Sequence, residues 1–251
     1  MTERVIWKYW ETRGIKPTYI DFISEKLANK TSARIVTVTK ETLADYLPNL
    51  NPGIFNVEEM AHKADLIRTR LVEKYGGMWL DSDAVVLKNI DHLFDYLDDY
   101  SFVGFNDGAS LSGNSKVRVN CFLSRPDGVV IKSWVARQEE ILKTKLKFSW
   151  TEIGSDILHP LCQKNCDQVK ILDFKLIAPI PWNQRERFYD VNELDGYIDD
   201  NTLMMMLHNK LVSDEIKRTP VAELVSSSTV LGQLLRYEDK TSSRLPSIHL
   251  M

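Results

Sequence analysis

Hydrophobic and polar positions follow two rhythms along the first half of the chain. Val5-Ile6-Trp7 is a continuous apolar run, and Ile35-Val36-Thr37-Val38-Thr39 is β-branched throughout. Both predict strands, because branched side chains pack well on a pleated surface. Between them Ile20, Ile23 and Leu27 recur at helical spacing behind Pro17, a residue suited to a helix's first turn. Leu43 and Leu47 mark a short second helix. The strongest periodicity comes next. Ala64, Ile67, Leu71 and Tyr75 predict a helix from Val57 to Tyr75, opened by Asn56 and Glu59 at capping-box spacing and stopped by Gly76-Gly77. Met78-Trp79-Leu80 and Ala84-Val85-Val86-Leu87 then predict two strands, with Asp81-Ser82-Asp83 between them.

The second half is less regular. Phe102-Val103-Gly104-Phe105 and Cys121-Phe122-Leu123 read as strands, and Val129 to Lys143 as a helix. Ile171-Leu172 and Leu176-Ile177-Ala178 suggest short strands, and Leu203 to Leu207 is an apolar run ending at His208. The alternation of strands and helices predicts an α/β fold with a mostly parallel central sheet flanked by helices. In such sheets ligands bind beyond the carboxyl ends of the strands, where the Asp pair lies. With no linker rich in Gly, Pro or Ser before about residue 225, one domain over residues 1–225 is expected, followed by a loosely docked or mobile tail over 226–251.

Composition narrows the function classes. The chain has 251 residues and a formal net charge of −3, so no overall basic field points to nucleic acid. No apolar stretch reaches the ~18 residues that cross a bilayer, and Met-Thr-Glu-Arg opens no apolar leader. A cytoplasmic protein is expected, with peripheral contact at the inner membrane face. Cys162 and Cys166 lie four apart and Cys121 is alone; without a second ligand pair they make a poor zinc site.

The candidate chemistry begins with Asp81 and Asp83. On an extended segment residues two apart face the same side, so both carboxylates could share a cavity. Two hard anionic oxygens suit Mn²⁺ or Mg²⁺, which also accept phosphate oxygens. The same three letters also make an ordinary polar turn. Upstream, Asp65 and Arg68 stand three apart on one helical face. Alone they would be a surface ion pair worth a few tenths of a kcal/mol. Their helix, however, leads through Tyr75-Gly76-Gly77 directly into the acidic segment.

The run Lys63-Ala64-Asp65-Leu66-Ile67-Arg68 followed by Tyr75-Gly76-Gly77-Met78-Trp79-Leu80-Asp81-Ser82-Asp83 closely resembles the sugar-binding, Asp-x-Asp region of retaining glycosyltransferases. It is most similar to bacterial capsular polysaccharide synthesis proteins. It also resembles yeast initiating outer-chain mannosyltransferases and, more distantly, clostridial glucosylating toxins. The resemblance implies the GT-A type nucleotide-sugar-binding fold and transfer of a hexose, galactose or glucose, from a UDP-sugar to a glycan or lipid-linked oligosaccharide in surface polymer synthesis, with retention of configuration. It implies Asp65 near the sugar hydroxyls, Arg68 near sugar or phosphate, Asp81 at the ribose or metal, and Asp83 on the metal. Ser82 and Trp79 depart from the common pattern without disturbing the metal site, and Trp79 would shape the nucleobase pocket. Trp7 stands where toxin relatives place an aromatic against uracil, although an indole there also suits a core. Met206-Leu207-His208-Asn209 resembles the late His-containing segment near the diphosphate, with His208 a metal or phosphate ligand or simply a residue at a strand end. Asn120 lies where relatives carry an Asn close to the reacting sugar. Glu152 and Asp156, around Gly154, fall where relatives approach the acceptor. A non-catalytic carbohydrate-binding protein or a sugar-nucleotide nucleotidyltransferase would be the alternatives. The latter usually needs a Gly-rich basic loop after the first strand, where this chain has Lys8-Tyr9-Trp10-Glu11-Thr12-Arg13-Gly14.

Overall fold

A computed structural model describes residues 3–12 and 14–239. In chain order the elements are β1 (Val5–Trp10), α1 (Tyr19–Ala28), β2 (Arg34–Thr39), α2 (Leu43–Tyr46), α3 (Met60–Tyr75), β3 (Gly77–Leu80), β4 (Ala84–Val86), α4 (His92–Asp95), β5 (Phe102–Asn106), β6 (Cys121–Ser124), α5 (Val129–Leu142), α6 (Ser155–Lys164), β7 (Val169–Asp173), β8 (Met204–Met206), α7 (Asp214–Arg218), α8 (Val221–Ser226) and α9 (Val230–Arg236), with short 3-10 turns between. Among the described residues six strands form one sheet in the order β2-β1-β3-β6-β5-β7. Strands β1, β2, β3, β5 and β7 run one way and β6 alone runs against its neighbours. The sheet is therefore mostly parallel, as the strand–helix alternation requires.

Period-two alternation divides β1 between the two faces of this sheet. Val5, Trp7 and Tyr9 join Leu66, Leu71, Trp79, Phe122 and Trp134 in a core under α3 and α5. Ile6 joins Met78, Leu80, Val103 and Leu123 on the opposite face. A small antiparallel pair, β4 with β8, sits apart from the main sheet. Its core gathers α1, α8 and α9 around Val85 and Met205.

The Tyr-Gly-Gly sequence is what lets α3 hand over to β3. Gly76 ends the helix at φ +69°, and Gly77 follows at φ +96°. A Cβ on Gly77 would stand 2.5 Å from Val5 O, and one on Gly76 2.9 Å from Pro126 N. The positive φ at both, with the close approach of Gly77 to β1 and of Gly76 to Pro126, excludes a side chain. The chain can thus turn sharply and pair at once with β1.

Four local expectations are corrected. Helix α3 begins at Met60 rather than Val57, and no side chain caps it. Asn56 ends a 3-10 turn capped by Asn51, and Val57 is extended, so the Asn56–Glu59 capping box does not form. Residues 176–178 are not a strand; the chain there leaves a 3-10 turn over Phe174–Leu176, capped by Asp173, whose carboxylate accepts from Lys175 N. The boundary expected at residue 225 falls inside α8, and α9 beyond it buries Val230, Leu231, Leu234 and Leu235. Apolar packing thus ties the stretch through residue 236 to the body. Residues 240–251 of the expected tail lie outside the described residues. Among the described residues no helix is long and apolar enough to cross a membrane.

Candidate active site

Helix α3 buries charge along much of its length. His62, Lys63, Asp65, Arg68 and Arg70 are all at most 6% exposed, a pattern that demands partners, since an unpaired buried charge is costly. Arg68 supplies the main connection. Its NH2 lies 3.3 Å from Asp65 Oδ1 and 3.4 Å from Asp81 Oδ1. NH1 donates to Val119 O at 2.5 Å and Nε to Ala64 O at 3.3 Å. The guanidinium also stands over the Trp79 ring, 5.0 Å from its centre. One arginine thus locks α3 to the acidic turn and to the segment entering β6. The surface ion pair of the sequence reading is in fact buried. Because its donors are spent on protein oxygens, Arg68 acts here through the two carboxylates.

Asp81-Ser82-Asp83 is a turn rather than an extended segment: Ala84 N donates back to Asp81 O at 3.2 Å. It joins β3 of the main sheet to β4 of the small one, and each residue is tied elsewhere. Asp81 Oδ1 accepts from Trp79 Nε1 at 2.7 Å, and Asp81 N donates to Asn120 O at 2.9 Å. Ser82 Oγ donates to Tyr9 O at 3.1 Å. Asp83 Oδ2 accepts from Asn209 N at 2.7 Å, and Asp83 O from Leu207 N at 3.1 Å. The β4–β8 register, with Ala84 opposite Met206, is what brings the His208 segment to Asp83.

The electrostatics are those of crowded acids. Burial pushes Asp81 up to about 6; Arg68 pulls it back, while Asp83 adds to the rise. Burial likewise raises Asp65 against the pull of Arg68 and His62. Burial lowers His208, with Asp83 opposing and Arg185 and Arg118 adding to the fall. His208 sits at φ +53°, in the left-handed region unusual for a residue with a Cβ, and its Nε2 lies 3.4 Å from Ile180 O. Asn120 Oδ1 is buried with no hydrogen-bond partner.

The structure therefore brings Asp65, Arg68, Trp79, Asp81 and Asn120 into one network, and Ser82, Asp83 and the His208–Asn209 segment beside it. Two expectations are corrected, those for Trp7 and Trp79. Trp7 is 1% exposed, donates from Nε1 to Gly76 O and packs on the rings of Tyr46 and Tyr75, so it has no free face for a base. Trp79 is equally buried and serves Asp81 and Arg68 rather than a nucleobase pocket. Glu152 and Asp156 stand outside the network. Glu152 pairs with Lys145 at 2.5 Å and accepts from Ser149 N, and Asp156 pairs with Lys116 and Thr151. They line a cavity between α5 and α6 instead. Gly154 between them does approach the network: a Cβ there would stand 3.5 Å from Asp65 Oδ2.

Some supporting residues carry little sequence signal. Lys8 is 1% exposed inside an apolar strand, its Nζ on Ser24 Oγ. Burial lowers its ammonium to about 8 despite the attraction of Asp83, Asp21 and Asp81. A lysine amid Val-Ile-Trp-Tyr-Trp was the available clue. Gln138 on α5 donates to Asp65 O and Ile153 O and accepts from Thr69 and Arg70, fixing α3 against the segment before α6. Trp10, at the carboxyl end of β1, is only partly buried. Among the described residues no group of three or more His, Cys, Asp or Glu side chains is disposed to hold a metal. Asp81, Asp83 and His208 are therefore not a preassembled three-ligand site. The two acids alone offer hard oxygens that would leave a cation open to other ligands.

The model for capsular polysaccharide synthesis proteins matches residues 1–134, more than half of the chain, and the chain belongs to that family. It is 29% identical over 132 residues to the lactosylceramide 4-alpha-galactosyltransferase of Pan troglodytes, a match covering 51% of this chain and 36% of that protein. The same enzyme of Rattus norvegicus gives 29% over 129 residues, 51% and 34% of the two chains. This chain spans about a third of the length of these curated relatives. Among solved structures it is similar to a glycosyltransferase involved in glycosylation of the major capsid of PBCV-1, with TM-score 0.48, 12% identity and coverage of 85% of this chain and 98% of that one. The PaToxG glycosyltransferase gives TM-score 0.45, 10% identity and coverage of 65% and 69%.

Proposed function

We propose that the chain is a GT-A type, retaining glycosyltransferase that uses Mn²⁺ or Mg²⁺ to move a hexose from a UDP-sugar to a glycan hydroxyl. One observation carries the reading: Arg68 joins Asp65 to Asp81 beneath a turn whose other acid, Asp83, is held by the His208–Asn209 segment. Such a network costs desolvation without obvious benefit to folding, and it converges where three elements end. The names of the relatives, galactosyltransferases acting on a glycolipid, support galactose as donor sugar and a galactose-containing acceptor. The family supports a role in capsule or related surface polymer, with a lipid-linked oligosaccharide met at the inner membrane face of the cytoplasm.

In this reading Asp83 and Asp81 hold the cation, directly or through water, and His208 stands by the diphosphate. The cation, when bound, supplies positive charge to the departing phosphate. Asp65 receives hydroxyls of the donor sugar, and Asn120, with its buried unpartnered Oδ1, offers an amide that both donates and accepts. Arg68 is a positioning residue, setting the angle between Asp65 and Asp81. Asp65, Asp81 and Asp83 all have other duties, so none is free to attack the anomeric carbon as a double displacement requires. Retention then follows a front-face course: the sugar–phosphate bond breaks, the acceptor oxygen bonds on the same face, and the leaving phosphate takes its proton.

Screening UDP-sugars for slow hydrolysis with and without Mn²⁺ tests the reading. One UDP-hexose is expected to turn over, and chelation to stop it. Trisaccharide binding without any UDP binding would replace the transferase with a carbohydrate-binding protein. Proton NMR of the first-formed linkage tests the stereochemistry, since a β-linked product from an α-linked donor would mean inversion.

A further inference from the structure

Trp150 is 62% exposed, and nothing in the fold requires an indole there. Two residues earlier, Phe148 does the packing, lying against the core under α3. Trp150 stays outside in a polar frame. Lys210 Nζ stands 4.5 Å from the centre of its ring and pairs with Glu59 at 3.0 Å. The His62 ring lies 6.2 Å from the Trp150 ring and 5.5 Å from Phe148. His62 is 5% exposed, and its buried Nε2 has no hydrogen-bond partner.

The position connects with the candidate site on two sides. His62 precedes Asp65 by three residues on α3, so the two share a face. Gly154, four residues after Trp150, passes close to Asp65. Lys210 follows Asn209, whose N–H holds Asp83. Trp150 thus stands on a rim built from the amino end of α3, the segment before α6 and the His208 segment. Its immediate neighbours are the Lys210 ammonium and the buried His62 ring.

We propose that Trp150 is the platform for a neutral hexose ring of the acceptor glycan, stacked on the exposed indole with hydroxyls reaching Lys210 Nζ. Pyranoses present one apolar face of C–H groups and an equatorial girdle of hydroxyls. A large rigid aromatic flanked by polar groups recognises both. The inference rests on the glycosyltransferase reading for the word acceptor, but the platform itself is testable without any transfer.

Saturation-transfer NMR on the full chain, with soluble trisaccharides of glucose, galactose and mannose as probes, reads the platform directly. At least one trisaccharide is expected to bind the wild type. Trp150→Ala should weaken it about tenfold, Trp150→Phe about threefold, and Lys210→Met by less than that. UDP affinity in Mn²⁺ should stay within about twofold in every variant, because Trp150 lies off the Asp81–Asp83 turn. The inference is overturned if no trisaccharide binds the wild type, or if Trp150→Ala binds as well as it does. It is equally overturned if Trp150→Ala weakens UDP as much as sugar, which would make the indole a nucleobase platform. Failure of the wild type to bind UDP, alongside the expected trisaccharide losses, would sink the transferase reading and leave the platform standing.

Discussion

The turn carrying Asp81 and Asp83 and the segment carrying Glu152 and Asp156 are both acidic, yet their carboxylates live in different surroundings. The first pair is held by distant chain: Arg68 of α3 for Asp81 and Asn209, 126 residues away, for Asp83. The second pair is served at the surface by lysines and by near neighbours such as Ser149 and Thr151. One consequence appears in acidity: burial drives Asp81, like Asp65 beside it, upward, whereas a lysine hydrogen bond keeps Glu152 and Asp156 below the usual carboxylate range. Buried acids that several elements converge to hold have a cost that function can explain; exposed acids paired with flexible lysines are worth little either way.

The sharpest way to break the comparison is at Asp83. Asp83→Ala should lower transfer by roughly a thousandfold or more, since the diphosphate would lose the cation that screens it. UDP affinity should then no longer respond to Mn²⁺, as isothermal titration would show. Substantial activity retained in a chelator would sink the metal assignment. Arg68→Ala ranks next. It strands Asp65 and Asp81 without their shared cation, a loss of about 3–5 kcal/mol. Thermal unfolding should fall by roughly 10 °C or more, along with activity. A variant that unfolded at the wild-type temperature would show that Arg68 does not hold the network.

How much of this was legible in the sequence follows from which forces are local. Helix α3, the strands flanking Asp81-Ser82-Asp83 and the Asp65–Arg68 pair declare themselves through periodicity and spacing. The order β2-β1-β3-β6-β5-β7 does not, because strand partners are chosen by packing across the whole sheet. Trp7 was open to both core and ligand readings because an indole suits either, and only the rings of Tyr46 and Tyr75 decide. Glu152 and Asp156 share a segment with Gly154, which does approach Asp65; adjacency in sequence hid that their side chains point to other partners. The turn at Asp81–Asp83 was written in its residue types, but its attachment to Asn209 required the β4–β8 pairing.

Lys8 extends the comparison to pH. Its folded pKa, about 8, lies below the roughly 10.4 of an unfolded lysine. The folded state therefore holds this proton less tightly than the unfolded chain does. Keeping the charge costs stability at all pH values below about 8, and the cost is relieved as pH rises from 8 towards 10.4. Measured without added cation, the stability of the wild type relative to Lys8→Met should rise across that window, by up to a few kcal/mol in total. A difference that stayed flat from pH 7 to 10 would mean that the ammonium is not dehydrated behind the acidic turn.

The smallest effects should come from the surface acids, and they test the comparison from its other side. Glu152→Gln and Asp156→Asn keep the shape of each side chain and remove its charge. The salt bridges to Lys145 and Lys116 are solvent-exposed, and such pairs contribute about 0–1 kcal/mol. Neither carboxylate is hydrogen-bonded to Asp65, Arg68, Asp81 or Asp83. Unfolding temperatures should therefore shift by no more than about 2–4 °C, and the kcat and KM for the UDP-sugar should stay within about twofold of wild type. The acceptor KM separates this expectation from the sequence-based one. If Glu152 and Asp156 met the acceptor through their charge, that KM would rise about tenfold or more while the donor KM held. If the acceptor is instead met at Trp150, both neutral variants leave it unchanged, and raising the salt concentration, which screens exposed charge, alters none of the three constants for these variants relative to wild type.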